Sequence, residues 1–451
     1  MIKSKTTDEI NSPWPSPYRA WYVTGVLNIA FVIAFIDRQI VGLLIGPIQN
    51  DLHITDTQVS LLGGFAFAFL YTFLGIPIGR LIDKGNRRGI IAVGVFVWSC
   101  MTVACGFAKS FIQLFFARVG VGVGEATLSP AALSILSDYF PRERLGLAVS
   151  VYLSGASIGT GLAFLLGGAA IAFFDQAGQV ILPVIGEVKS WQFAFIVVGA
   201  PGILFSCLVL TFREPVRRNK VLQDASKIDS AAPTLSEVIK FLLLNKKFYL
   251  AHFAGFGLYL AFTYGFSFWA VEYFVRTFAV ERSQIAYIYG AQVIVFGGAG
   301  TLLAGFLSDH FERKGQKDAK LRVAFWPAIP LFLLAISIPF ISQYQIAVGV
   351  VMVMTFCWKF PLAPAAASLQ IATPNQMRGI VTGLYLFVGN TLGLAVGPAV
   401  IGVFSDYVVG NPDEIKWSIG LAALIMLPAS IAALLICRRG YNALSYTLVR
   451  S

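Results

Sequence analysis

An all-α membrane protein is the fold this sequence predicts: twelve transmembrane helices in two six-helix bundles, related by a pseudo-two-fold axis. Three observations carry that expectation: the composition, a series of apolar runs long enough to cross a bilayer, and an internal repeat. Hydrophobic residues make up 57% of the 451 and charged residues 13%, against about 25% charged in soluble domains, and the mean hydropathy is +0.74. A soluble chain of that make-up would aggregate. The net charge of +11 does not point to a nucleic-acid partner, because the basic residues punctuate apolar runs and form no continuous face.

A hydrocarbon core of about 30 Å takes roughly 20 apolar residues as a helix, and a helix satisfies its own backbone there. Runs of that kind fall near 19–45, 57–82, 88–108, 111–137, 145–172 and 191–212, then near 248–277, 283–308, 321–341, 344–370, 379–405 and 416–437. The polar stretch between the two sets holds Pro215, Pro233 and eight basic residues. The expected organisation is therefore an N-terminal bundle over 1–212, a cytoplasmic linker over 213–247 and a C-terminal bundle over 248–451. Within the linker, Leu235 to Leu244 reads either as a short helix on the anionic inner leaflet or as part of a solvated connection.

The first eighteen residues are polar and carry Pro13, Pro15 and Pro17, which is no cleavable leader pattern. With the N-terminus inside, 26 of the 34 Lys and Arg fall on the cytoplasmic side and five on the other, as positive residues near span ends resist translocation. A cell (inner) membrane location with both termini cytoplasmic is expected. Cys100, Cys105, Cys207, Cys357 and Cys437 are scattered and have neither metal nor disulfide spacing.

The repeat appears when the halves are overlaid. At an offset of 226 residues Gly64 falls on Gly290, Gly79 on Gly305, Asp83 on Asp309, Arg87 on Arg313 and Gly89 on Gly315; at 233, Pro141 falls on Pro374 and Tyr152 on Tyr385. Two parallel halves place a substrate site at their interface, with rocking as the natural motion.

The segment GRLIDKGNRRG at 79–89 resembles the loop signature of the major facilitator superfamily, and GFLSDHFERKG at 305–315 resembles its second copy. Asn86 stands where the loop glycine usually falls. Arg118 followed by Gly120, Gly122, Gly124 and Glu125 resembles the superfamily's second signature, and Asp37-Arg38, the run VGVGEATLSPAA and the stretch DYFPRERLG are similar to the Spinster-like branch. The resemblance implies the major facilitator fold and a cytoplasmic latch formed by Gly79, Asp83, Arg87, Arg88, Gly305, Asp309 and Arg313, to which Asp138, Arg142 and Arg144 are expected to add. It also implies proton-linked or gradient-driven movement, of lysolipids and phosphorylated sphingoid lipids in the animal members, and leaves the substrate of a bacterial-looking chain open.

An ionisable group at a helix centre in the bilayer costs about 2.5–3.5 kcal/mol, so the intramembrane charges are candidates for function. Asp37 and Glu125 are the expected proton-coupling residues, with Arg118 as their charge partner. Burial and a neighbouring arginine act on a carboxylate in opposite senses. A permanent structural network joining spans one and four is the alternative. Arg38 points about 100° away from Asp37 and faces either an anionic head group or a carboxylate on another helix. Lys359 is the second half's candidate for substrate contact, Glu272 reads as interfacial, and Tyr264 with Trp269 belongs to an aromatic cluster suited to a lipid-tail wall.

No nucleotide-binding loop, metal cluster or credible Ser, His and Asp set occurs, which argues against an enzyme. No cofactor is expected beyond a proton gradient as energy source. The expected function is secondary active transport of an anionic amphiphile of the lysolipid or sphingoid-phosphate type by alternating access, with the bilayer as partner, no nucleic acid, and a monomer as the unit. The alternative is a proton-coupled symporter or antiporter of soluble organic anions or drug-like amphiphiles. Saturable uphill flux separates either from a channel or scramblase.

Overall fold

The structure, a computed structural model, describes residues 14–177, 180–182, 186–217, 234–316, 318–374 and 376–448. Twelve helices in these residues are long and apolar enough to cross a membrane. Spans 1 to 6 are Pro17–Leu43, Asp56–Gly75, Arg87–Cys105, Phe111–Tyr139, Arg144–Phe174 and Ser190–Val209. Spans 7 to 12 are Lys246–Phe278, Arg282–Arg313, Ala319–Phe340, Tyr344–Ala372, Arg378–Val409 and Pro412–Asn442. They overlap the twelve apolar runs in order.

Two connections have structure of their own. Between spans 5 and 6, Val180–Leu182 pairs antiparallel with Gly186–Val188; this hairpin was not expected from the sequence. Much of the linker, 218–233, lies outside the described residues, but Leu235–Leu244 is a helix. A capping box starts it: the Thr234 hydroxyl accepts from the Glu237 N–H, and the Glu237 carboxylate accepts from the Thr234 N–H. Those bonds hold the exposed Glu237 carboxyl below its ordinary range.

Several spans depart from regular α-helix. Span 2 contains a π-helical turn at Leu61–Phe65, span 8 one at Val293–Gly297, and span 11 two, at Thr391–Val396 and Phe404–Val409. Turns of this kind commonly mark functional positions.

Contacts divide the chain into two compact units: Met1–Arg38 with Phe69–Ala163 and Phe174–Ala232, and Gln39–Ala68 with Phe164–Phe173 and Pro233–Ser451. In the first, small residues let helices meet backbone to backbone. A methyl group on Gly124 of span 4 would lie 2.8 Å from the Gly94 carbonyl of span 3, and one on Gly159 of span 5 would lie 2.5 Å from the Val32 carbonyl of span 1. The glycine run after Arg118 is thus a packing surface at Gly124. In the second unit the Ser430 hydroxyl donates to the Gly255 carbonyl at 2.7 Å, fixing span 12 on span 7. Span 2 approaches span 7 so closely there that a methyl on Gly63 would sit 2.0 Å from the Phe268 ring.

Candidate functional site

Within the first unit, spans 1, 3 and 4 bring four ionisable side chains into the interior. Asp37, Arg118 and Glu125 are buried. Arg38 donates from Nη2 to Glu125 Oε2 at 2.7 Å, and its guanidinium lies over the rings of Phe35 and Tyr71, 4.7 and 5.2 Å from their centroids. The pair therefore has cation–π contact on one side and a carboxylate on the other. The helix Phe111–Glu125 stops at this glutamate, and the chain turns before resuming at Leu128.

Arg118 donates to the backbone carbonyl of Asp37 at 2.9 Å. The Asp37 carboxylate oxygens are buried without a well-formed hydrogen bond; Thr102, beside them, donates its hydroxyl to the Trp98 carbonyl at 3.0 Å. Glu125 and Arg118 are the charged groups acting on Asp37. Arg118 acts on both Asp37 and Glu125, and Glu125 is in addition bound directly by Arg38, because the 100° step from Asp37 to Arg38 turns Arg38 toward span 4.

A second constellation in the same unit centres on buried Arg87, which bonds Asp138 through Nη1, Glu214 Oε1 through Nε at 2.7 Å, the Ser134 hydroxyl at 2.9 Å and the Pro215 carbonyl at 3.1 Å. Glu214 also accepts from the Arg88 N–H at 2.9 Å, and the Arg88 side chain donates to the Phe212 carbonyl at 2.9 Å. Asn86 caps span 3 by accepting from the Gly89 N–H at 2.9 Å, which explains an asparagine at a glycine position. Gly79 and Gly305 line open space.

Of the expected latch residues, Arg87, Arg88 and Asp138 meet, whereas Asp83, Arg144, Asp309 and Arg313 are exposed. Among the described residues the carboxylates of Asp83 and Asp309 are in no ion pair. The Asp83 contribution is its backbone carbonyl, which accepts from Arg217 as those of Ile82 and Gly85 do. The side chain of Arg142 lies outside the described residues. In the second unit the acid that gathers arginines is Asp318, paired with Arg322 at 3.3 Å and Arg438 at 2.6 Å.

The second unit also holds the largest charged cluster, which sequence reasoning did not assemble. Asp56, at the start of span 2, accepts two bonds from Arg276 of span 7, at 2.8 and 2.9 Å, one from Gln49 at 2.8 Å and one from the Ser405 hydroxyl of span 11 at 2.5 Å. Arg276 continues to Glu272 at 2.9 Å, and Glu272 accepts from Arg282 of span 8 at 2.6 Å. Asp406 accepts from the N–H groups of Asp56 and Thr57 at 3.2 and 2.7 Å. Glu272, near the end of span 7, is thus a buried member of this cluster. The signal lay in the i,i+4 spacing of Glu272 and Arg276.

Lys359 is buried in span 10, with its ammonium 4.7 Å from the Trp358 ring centroid and its stem against the π-helical turn at Gly297. Among the described residues it is in no ion pair. Tyr264 meets Trp358 edge to face at 6.0 Å. Trp269 does not join that wall: it is fully buried, donating its indole N–H to the Pro398 carbonyl at 3.1 Å. Five residues along a helix turn it by about 140° from Tyr264, which separates the two faces.

Comparison with known proteins gives consistent matches. The family profile described as Major Facilitator Superfamily matches residues 27–398. A crystal structure of a bacterial homologue of the human lysosomal transporter Spinster, inward-facing and unoccupied, aligns at a TM-score of 0.76 with 27% identity over 97% of this chain and 98% of that one. An MFS-type efflux pump of Mycolicibacterium smegmatis is 26% identical over 92% of this chain and 90% of its own length. A D-galactonate transporter of Escherichia coli is 27% identical over 86% of this chain and 90% of its own.

Proposed function

This chain belongs to the Major Facilitator Superfamily, within which it is Spinster-like; it is a multi-pass membrane transporter of small molecules and not an enzyme, and we propose that its cargo is an anionic amphiphile of the lysolipid or sphingoid-phosphate class, moved by proton-coupled alternating access. The observation that carries this reading is the Arg38–Glu125 ion pair beside the buried Asp37 carboxylate. An arginine bound to a carboxylate is not available to a substrate anion. A proton delivered to Glu125 removes the carboxylate charge that draws Arg38, and the guanidinium then pairs with an anionic head group in the same place. Proton and cargo are coupled because both act on one side chain. Asp37 is the second carboxylate on this relay, and Arg118 holds its backbone in position.

In the second unit, Lys359 supplies a cation that is in no ion pair among the described residues, and Tyr264 with Trp358 gives an apolar wall for a chain. The two bundles, 1–212 and 248–451, are the bodies that rock, with both termini in the cytoplasm. The Arg87, Asp138 and Glu214 cluster belongs to the latch at the cytoplasmic end, and the Asp56, Arg276, Glu272 and Arg282 cluster closes the opposite end. A ligand can shift such an equilibrium only by binding the two states differently, and proton occupancy at Glu125 supplies that difference.

The D-galactonate transporter among the relatives favours a second reading, a soluble organic anion as cargo. Uptake of a labelled lysophospholipid into proteoliposomes, competed by unlabelled lysophospholipids or by galactonate, tests both. Competition by lysophospholipid alone supports the amphiphile, and competition by galactonate alone replaces it with the soluble acid.

A further inference from the structure

A cavity of about 530 Å³ lies in the first unit, where the start of span 1, the end of span 4 and the chain leaving span 6 converge. Its walls carry Arg19, Tyr22, Asp138, Thr211, Arg213 and Glu214. It sits at the boundary between membrane and water, since span 1 begins at Pro17 and span 6 ends at Val209. Tyr22 lines it, and Trp14, Tyr18 and Trp21 are exposed on the same stretch of chain at the start of span 1, residue types of an interfacial belt.

The charge in this cavity is unequal in kind. The two acids, Asp138 and Glu214, share the one cation of buried Arg87, and Glu214 also accepts from the Arg88 N–H, so both carboxylates are tied into the wall. The guanidinium groups of Arg19 and Arg213 are exposed and, among the described residues, in no ion pair. Two hydroxyl groups, Tyr22 and Thr211, meet at 2.6 Å on the same wall. Arg213 is held by its backbone, whose carbonyl accepts from Tyr139 at 2.6 Å. Two exposed arginines in a cavity beside a run of interfacial aromatic residues, at the depth of the lipid phosphates, make a receptor for a phosphate that carries acyl chains.

We propose that this cavity binds the head group of an anionic bilayer phospholipid as a resident ligand, separate from the transported cargo. The phosphate is taken by Arg19 and Arg213, and the acyl chains run along the outside of span 1. The site does not depend on the reading of Arg38, Glu125 or Lys359, so either can fail without the other.

The full-length protein, stripped of lipid in detergent, is titrated with phosphatidylglycerol and with phosphatidylcholine, and bound lipid is counted by native mass spectrometry. Basic side chains at an anionic surface contribute about 1 kcal/mol each, so two give phosphatidylglycerol a preference of about thirtyfold. The Arg19→Ala, Arg213→Ala double variant is expected to lose that preference, and the Arg19→Lys, Arg213→Lys variant to keep most of it, which separates lost charge from lost folding. Equal binding of the two lipids by the unmodified protein, or an undiminished preference in the double alanine variant, overturns the proposal. Displacement of phosphatidylglycerol by millimolar inorganic phosphate also overturns it, by identifying a site for free phosphate.

Discussion

Replacement of Asp56 by alanine tests the charged cluster of the second unit. The Asp56 carboxylate is fully buried and takes four hydrogen bonds, from Gln49, Ser405 and twice from Arg276, whose side chain is 9% exposed. Removing one partner of a buried pair costs about 3–5 kcal/mol, because the remaining charge loses its partner. Glu272 still offsets part of the Arg276 charge, so the lower end of that range applies. If the cluster exists only while the ends of spans 1 and 2 are seated on spans 7, 8 and 11, about 3 kcal/mol raises the open population at least a hundredfold. The assay is amide hydrogen exchange in lipid nanodiscs over residues 54–60, whose first N–H groups are held by Asp406. Exchange there is expected to accelerate about a hundredfold in Asp56→Ala and less in Asp56→Asn, which keeps an acceptor for Gln49 and Ser405. Unchanged exchange in the alanine variant refutes the assignment of a closing role.

Three further outcomes follow from the geometry. Arg87→Ala leaves Asp138 and Glu214 without their shared cation and is expected to cost about 3–5 kcal/mol; a thermal unfolding midpoint within a degree of the parent contradicts that. Lys359→Met removes a buried charge that is in no ion pair among the described residues, so stability is expected to hold or rise while uptake of an anionic cargo falls at least tenfold; a loss of stability with normal uptake reverses the assignment. Glu237 caps the linker helix as a carboxylate held below its ordinary range, so its contribution is present above the ordinary carboxylate range and is lost as pH falls through the lowered value. Hydrogen exchange over 235–244 should show that acid dependence in the parent and not in Thr234→Ala, which also loses about 1 kcal/mol of capping.

The twelve spans were legible because each is a long apolar run, a signal that needs no tertiary information. The linker helix was one of two alternatives its apolar pattern left open, and the capping box at Thr234 decided it; Asn86 turned out to serve as a cap within an otherwise recognisable loop. Side-chain pairing was harder to read. Asp37, Arg38, Arg118 and Glu125 were identifiable as costly charges, but which arginine meets which carboxylate depends on helix rotation, and the direct Arg38–Glu125 bond was one of two alternatives the sequence left open for Arg38. Glu214 and Asp318 stood outside the spans and resembled ordinary loop acids, although each gathers basic residues. Asp56, Arg276 and Arg282 looked like span-end charges because 220 residues separate Asp56 from Arg276. The π-helical turns left no mark on hydrophobic periodicity, and Trp269 was misplaced by reading a run of aromatics as one face.

Glu125 and Asp37 make the central claim testable in a single preparation. Proteoliposomes carrying the parent protein, Glu125→Gln or Asp37→Asn are loaded with labelled cargo, and flux is followed with and without an imposed proton gradient, with folding checked by gel filtration. The parent is expected to drive cargo uphill only when the gradient is present, and each variant to retain exchange of cargo while losing all response to the gradient. Gradient-driven flux of normal size in both folded variants would contradict the account.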